Sequence, residues 1–251
     1  MALNIRYEKL SWLAPIISLI VIWEIIGRMR IFPEYLFPSF TKVLNTLYLL
    51  IINGLLLEHF LASLLRVLAG FSIGLTTGLL FGILMGYYEK IHKMLHPILS
   101  LLMPIPALGW LPLLILWIGL SEALPITLIF LCSFFPVLYN TITGIRQVDK
   151  ECIDVARSLG AKKMKVFLTV VLPLASQNIF TGIRLEAGMA WRTVVAAEMI
   201  AIPTGIGALM INSQYLIRVD IIMVCLGVLA VTSMLIEKFV IWLEDMIGKW
   251  R

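Results

Sequence analysis

The sequence predicts an all-α, polytopic membrane protein of six transmembrane helices with an amphipathic helix pair at the cytoplasmic surface. Three observations carry this. The 251 residues are 61% hydrophobic and only 14% charged, with a mean hydropathy of +0.99; soluble domains run at about 45–50% and about 25%. Apolar runs approaching or exceeding the roughly 20 residues that a crossing needs recur along the chain. Lysine and arginine are shared unequally between the segments that join these runs.

The runs lie near residues 10–27, 60–87, 95–118, 124–145, 178–200 and 220–243. The first lacks a small-residue cleavage site and is expected to be retained as a span. The stretch 41–57 is apolar but short and interrupted by Asn45, Thr46, Asn53 and Gly54, which fits an interfacial helix on the outer side; the alternative is a seventh crossing, which would invert everything after it. With the N-terminus inside, the inner segments hold Arg6, Lys9, Lys90, Lys93, Arg146, Lys150, Arg157, Lys162, Lys163, Lys165, Lys249 and Arg251. The outer ones hold Arg28, Arg30, Lys42 and Arg218, so both termini are expected in the cytoplasm.

Within the second span Gly70, Gly74, Gly78, Gly82 and Gly86 recur every four residues, which predicts a groove for a closely packed helix. The third span carries Pro97, Pro104, Pro106 and Pro112 and is expected to be kinked or broken. Carbonyls freed there are tolerated where they face protein or a water-filled path, so Pro104, Pro106 and Trp110 fit either a path lining or a packing kink. In the fifth span Arg184, Trp191 and Glu198 are spaced by seven and form one stripe, with Arg192 a quarter turn away. Ionisable residues at this depth usually face the bundle interior or a cavity, which makes Trp191, Arg192 and Glu198 candidate path residues. Glu186 falls on the other face, near the cytoplasmic end, within reach of the interface. Glu24 in the first span is expected to meet a polar partner.

The 146–177 loop is the least hydrophobic part of the chain. Val148, Cys152, Val155, Ala156 and Leu159 mark one helical face, Asp149 suits the N-cap and Gly160 the left-handed stop. A second amphipathic helix follows with Met164, Phe167, Leu168 and Val171 on one face, ended by Pro173. Such a pair either rests in anionic lipid headgroups or docks a cytoplasmic partner.

Catalysis finds no support. There is no GxSxG, HExxH or phosphate-binding GxxxxGK[ST], and the three cysteines show no ligand spacing. The chain is therefore expected to be no enzyme and to hold no metal or cofactor of its own, and nothing points to nucleic acid. A stand-alone secondary transporter would predict two comparable halves, which the sequence lacks.

Resemblance separates the two readings of the loop. Asp154-Val155-Ala156, three residues, Gly160, nine residues and Val-Val-Leu-Pro at 170–173 resemble the EAA loop of ABC importer permeases, with Asp and Val replacing the first Glu and Ala. PIPALGWLPLLILWIGLSE at 104–122, ARSLGA at 156–161 and GIRLEAGMAWRTVVAAEMIA at 182–201, followed by GIG at 205–207, resemble the nitrate, sulfonate, taurine and bicarbonate branch. The resemblance implies a type I ABC importer permease fold, with an N-terminal segment and first helix over 1–35 and the permease domain over 36–251. It implies a second copy of the chain, a cytoplasmic dimer of ATP-binding subunits that holds ATP and magnesium, and an extracytoplasmic solute-binding protein, in a bacterial or archaeal cytoplasmic membrane. Asp154, Val155, Ala156, Arg157, Leu159, Gly160 and Ala161 would form the coupling helix and its hinge. The implied cargo is a small anion, with pyrimidine precursors, aromatic acids or flavins as alternatives carried by the same machinery.

Overall fold

The computed structural model describes residues 13–247, and all regular structure among them is helical. Arg6, Lys9, Lys249, Arg251 and the start of the first predicted span lie outside the described residues. Among the described residues, four helices are long and apolar enough to cross a membrane, and a bent pair makes a fifth candidate.

Helix α1 (Leu13–Arg28) is tied to the chain that follows it. Trp23 Nε1 donates to the Pro38 carbonyl at 3.0 Å. Glu24 finds its polar partners in Arg28 and Thr41, whose amide and hydroxyl donate to it at 3.0 and 2.6 Å. Helix α2 (Phe40–Ile52) starts at an N-cap, where Ser39 Oγ accepts from the Lys42 amide, and buries Val43, Thr46 and Leu50. Its 13 residues rise only about 20 Å, too short for about 30 Å of hydrocarbon. Gly54, at φ 72°, turns the chain into α3 (Leu55–Tyr87).

The five glycines of α3 face α6 (Ala123–Arg146) in parallel register. Gly70 sits on Ile129, Gly74 on Ser133, Gly78 on Val137, Gly82 on Thr141 and Gly86 on Ile145, each partner 59 positions further on (70 and 129, 86 and 145). A methyl added at Gly82 would lie 2.6 Å from Thr141 Cβ, inside van der Waals contact. The spacing of four thus marks one helix seated against another along about 24 Å.

Between them the chain returns through α4 (Glu89–Leu102), a 3-10 turn (Ala107–Trp110) and α5 (Leu111–Ile118). The two arms are bent by 81°. Pro104 and Pro106 occupy the break and Pro112 opens α5, where a missing amide proton is least felt. The expected crossing at 95–118 is therefore a broken one.

Helix α7 (Lys150–Ser158) leads through Gly160 to α8 (Lys163–Ala201). The expectation that Pro173 ends a separate surface helix is corrected: α8 runs unbroken across it. A π turn over Phe167–Val171 shifts the hydrogen bonds, so the Leu172 amide reaches back to Phe167, and Pro173 falls where the regular helix restarts. The buried side chains are accordingly Val166, Phe167 and Val171, whereas Met164 and Leu168 are exposed. Helix α9 (Ile206–Tyr215) packs on α3, α8 and α10 (Val219–Ile247), and α10 runs antiparallel to α8, with Arg184 ion-paired to Glu244.

Candidate functional site

The two ends of the bundle carry its functional features, and they differ in kind. At one end α7 has no buried residue. Ile153 and Ala156 lean on a cluster made by Ile145, Val166, Phe167, Val171, Ala175 and Ile179. Val155 and Leu159 point away, Leu159 with 83% of its surface free. Asp149 opens the helix, without the side-chain cap bond expected of it. Gly160, at φ 80°, closes it: its amide donates to the Arg157 carbonyl at 2.9 Å and the Ala161 amide to Ala156 at 3.1 Å. This left-handed stop favours a residue without Cβ.

Two shallow recesses of about 490 and 500 Å³ flank the helix. Ala156, Leu159, Gly160 and Ala161 line the first, and Asp154, Val155 and Leu159 the second. Asp154 and Arg157 are exposed and 3.9 Å apart. Of the seven predicted coupling residues, Asp154, Val155, Arg157, Leu159 and Gly160 are exposed, mixing apolar and charged groups, whereas Ala156 and Ala161 pack against that cluster.

At the far end Arg66 of α3 is 4% exposed and all five of its N–H donors have acceptors. Its Nε and Nη2 fork onto Glu122 at 2.6 and 2.7 Å. Nη1 reaches Glu198 at 2.7 Å and the Thr204 carbonyl at 2.8 Å, and Nη2 also reaches Thr204 Oγ1 at 2.6 Å. Glu198, with no exposed side-chain surface, also accepts from Ser63 Oγ at 2.8 Å and the Gly207 amide at 3.0 Å. His59 Nδ1 accepts from the Gly205 amide at 3.0 Å. A Cβ at Gly205 would collide with the Glu198 carboxyl, and one at Gly207 would lie 2.8 Å from Glu198 Cβ, so the GIG motif at 205–207 is the backbone's close approach to that carboxylate. The Arg66 guanidinium holds the Glu122 carboxyl, at the surface, below the usual carboxylate range. The network joins α3, the α5–α6 junction, α8 and the start of α9.

The candidate path residues do not gather in one place. Glu198 is locked into this network. Trp191 is buried in the core, edge-on to Phe60. Arg192 is exposed beside an open cavity between α8 and α10. Pro104 and Pro106 are exposed at the break, and Trp110 packs on Leu111, Leu124 and Ala197. Glu186 is corrected: it is buried against α6, where Cys132 Sγ donates to it at 3.5 Å, and does not reach the interface. Sequence reasoning missed Arg66, Ser63 and Glu122. Arg66 stands alone among the charged residues between His59 and Tyr87, and that isolation in an apolar run was the available signal.

Comparison with known proteins follows the same lines. Residues 74–250 match the family described as binding-protein-dependent transport system inner membrane component. A Bacillus subtilis protein named as an aliphatic sulfonates transport permease is 35% identical, over 98% of this chain and 89% of its own length. The taurine transport system permease protein of Escherichia coli is 30% identical over 93% and 86%. Among solved structures, the inward-facing MetNI methionine ABC transporter superposes with a TM-score of 0.57 at 17% identity, over 80% of this chain and 96% of that one, and so shares its fold.

Proposed function

Because the chain belongs to the binding-protein-dependent transport system inner membrane component family, as a permease subunit of an ABC importer, we propose that two copies carry a small anion inward. The energy comes from ATP hydrolysed on a separate cytoplasmic subunit. A solute-binding protein on the opposite side delivers the cargo, and α7 and both termini face the cytoplasm. The sulfonate and taurine permeases that the chain is similar to support an anion of that kind.

The observation that carries this reading is the exposed α7 surface joined to an unbroken helix. Helix α8 has 39 residues and rises about 58 Å. It begins beside the α7 hinge at Gly160 and ends beside Glu198 in the far network. Closure of two ATP-binding subunits displaces the α7 helices, and α8 carries that displacement across the membrane. The far end opens only when the Arg66 contacts give way. One end of the protein thus takes up the work and the other delivers it.

The test is co-purification from the native membrane. The chain should retain an ATP-binding subunit in stable stoichiometry, and uptake into proteoliposomes should require ATP. Solute uptake by the chain alone, with no ATPase present, would overturn the reading.

A further inference from the structure

Helices α8 and α10 carry two arginine–glutamate pairs at matching depth, and only one is closed. Arg184 and Glu244 form an ion pair. Eight residues further along α8 stands Arg192, and seven back along α10 stands Glu237. In an antiparallel pair these offsets, about two turns each, set Arg192 and Glu237 level with one another. Yet no ion pair joins them among the described residues, and both line one open cavity of about 470 Å³.

The other walls are suited to a ligand. Ser233 supplies a hydroxyl, Met210 and Leu229 apolar surface, and Trp191 an indole. Trp191 is 1% exposed, and its Nε1–H has no acceptor among the described residues. Arg192 stands nine residues, about 13 Å, before the end of α8, deep within the span. Separated charges are costly at this depth. A solute with one anionic and one cationic end would satisfy both charges, which a simple anion does not.

We propose that this cavity is a binding site for a small zwitterion, whose anionic group meets Arg192 and whose ammonium meets Glu237. The inference rests on the transport reading above and replaces its simple anion with a solute whose anionic group is joined to a cationic one.

The full-length chain in phosphatidylglycerol nanodiscs is titrated calorimetrically with 2-aminoethanesulfonate, ethanesulfonate and ethylamine. The zwitterion should bind at least about tenfold more tightly than either singly charged probe. Glu237→Gln should lower it to the level of ethanesulfonate, and Arg192→Gln to that of ethylamine, with unfolding temperatures unchanged. Equal affinities, a preference that survives both substitutions, or no binding at millimolar probe would overturn the site. Zwitterionic headgroups share this chemistry, so the titration is repeated with phosphatidylethanolamine present; abolished solute binding assigns the cavity to lipid and overturns the proposal. Loss of dimer in both variants assigns the face to contact between copies and also overturns it. Uptake by the assembled transporter is scored separately. ATP-driven ethanesulfonate uptake without a zwitterion preference refutes the site alone, and intact binding without ATP-driven uptake of any probe refutes the transport reading alone.

Discussion

The α7 end and the Arg66 end of this protein solve opposite problems with charged side chains. At α7 the charges of Asp154 and Arg157 stay in water, and Val155 and Leu159 are left uncovered. At the far end one buried arginine is surrounded by acceptors from three parts of the chain. The first arrangement has little energy invested in its own geometry and is free to engage another surface. The second is over-determined. Removing one partner leaves the others buried without compensation, which is far costlier than the intact network is stabilising.

The contrast can be broken or sharpened by substitution, taken in order of expected effect on stability. Arg66→Ala should destabilise by about 3–5 kcal/mol, because Glu198 is left buried and unpaired. Thermal unfolding in detergent reads this, and a parallel Arg66→Met/Glu198→Gln variant should recover part of the loss. An unshifted midpoint would mean that the network does not hold that end together. Gly82→Val should cost about 1–3 kcal/mol by overpacking, since even a methyl there would press on Thr141; a variant as stable as the parent would disprove the tight α3–α6 seam. Gly160→Ala forces a side chain into the left-handed region and should cost about 1–2 kcal/mol locally. Its signature is ATP hydrolysis persisting while uptake falls, and unimpaired uptake would contradict a hinge role.

Acid should act on the far end through Glu122. The Glu122 carboxyl is held below its ordinary range by Arg66, so its contribution is complete above the unfolded-state value, about 4.3. It is lost as pH falls through the lower folded value. Unfolding midpoints measured from pH 6 down to 3 should decline less steeply in Glu122→Gln than in the parent, and superimposable curves would remove Glu122 from the network. Leu159→Asp should change stability least, within about 0.5 kcal/mol, because the side chain touches little. It should nonetheless lose the co-purifying ATP-binding subunit. Retention of that subunit would place the docking surface elsewhere.

The same two regions separate what sequence reveals from what it conceals. The α7 loop was legible because its signals are local: a glycine stop, a short apolar periodicity and a cluster of lysines. The glycine ladder and the proline break were legible for the same reason. The Arg66 network was not, because its members lie 56, 132 and 138 positions apart and become one site only when the helices pack. Glu198 drew notice as an ionisable residue in a span, but its partner in α3 did not, although the same rule applies to it. Glu186 shows the limit of helical-wheel reasoning. Its angular position was read correctly, but which face meets α6 depends on neighbours that periodicity does not name. The run of α8 across Pro173 was hidden because a π turn, invisible in composition, absorbs the missing hydrogen bond.

The parallel seating of α3 on α6 has a consequence for biosynthesis. Each glycine leaves the ribosome 59 residues ahead of the side chain that will fill its groove (Gly70 ahead of Ile129, Gly86 ahead of Ile145). At elongation rates of about 5–20 residues per second, the groove waits roughly 3–12 s for its partner. During that interval α3 stands in the bilayer with five unfilled notches, and α4 and α5 must enter before the seam can zip. The ladder therefore makes assembly of this bundle a sequential event with a fixed delay, set by how far apart the two helices are written in the chain.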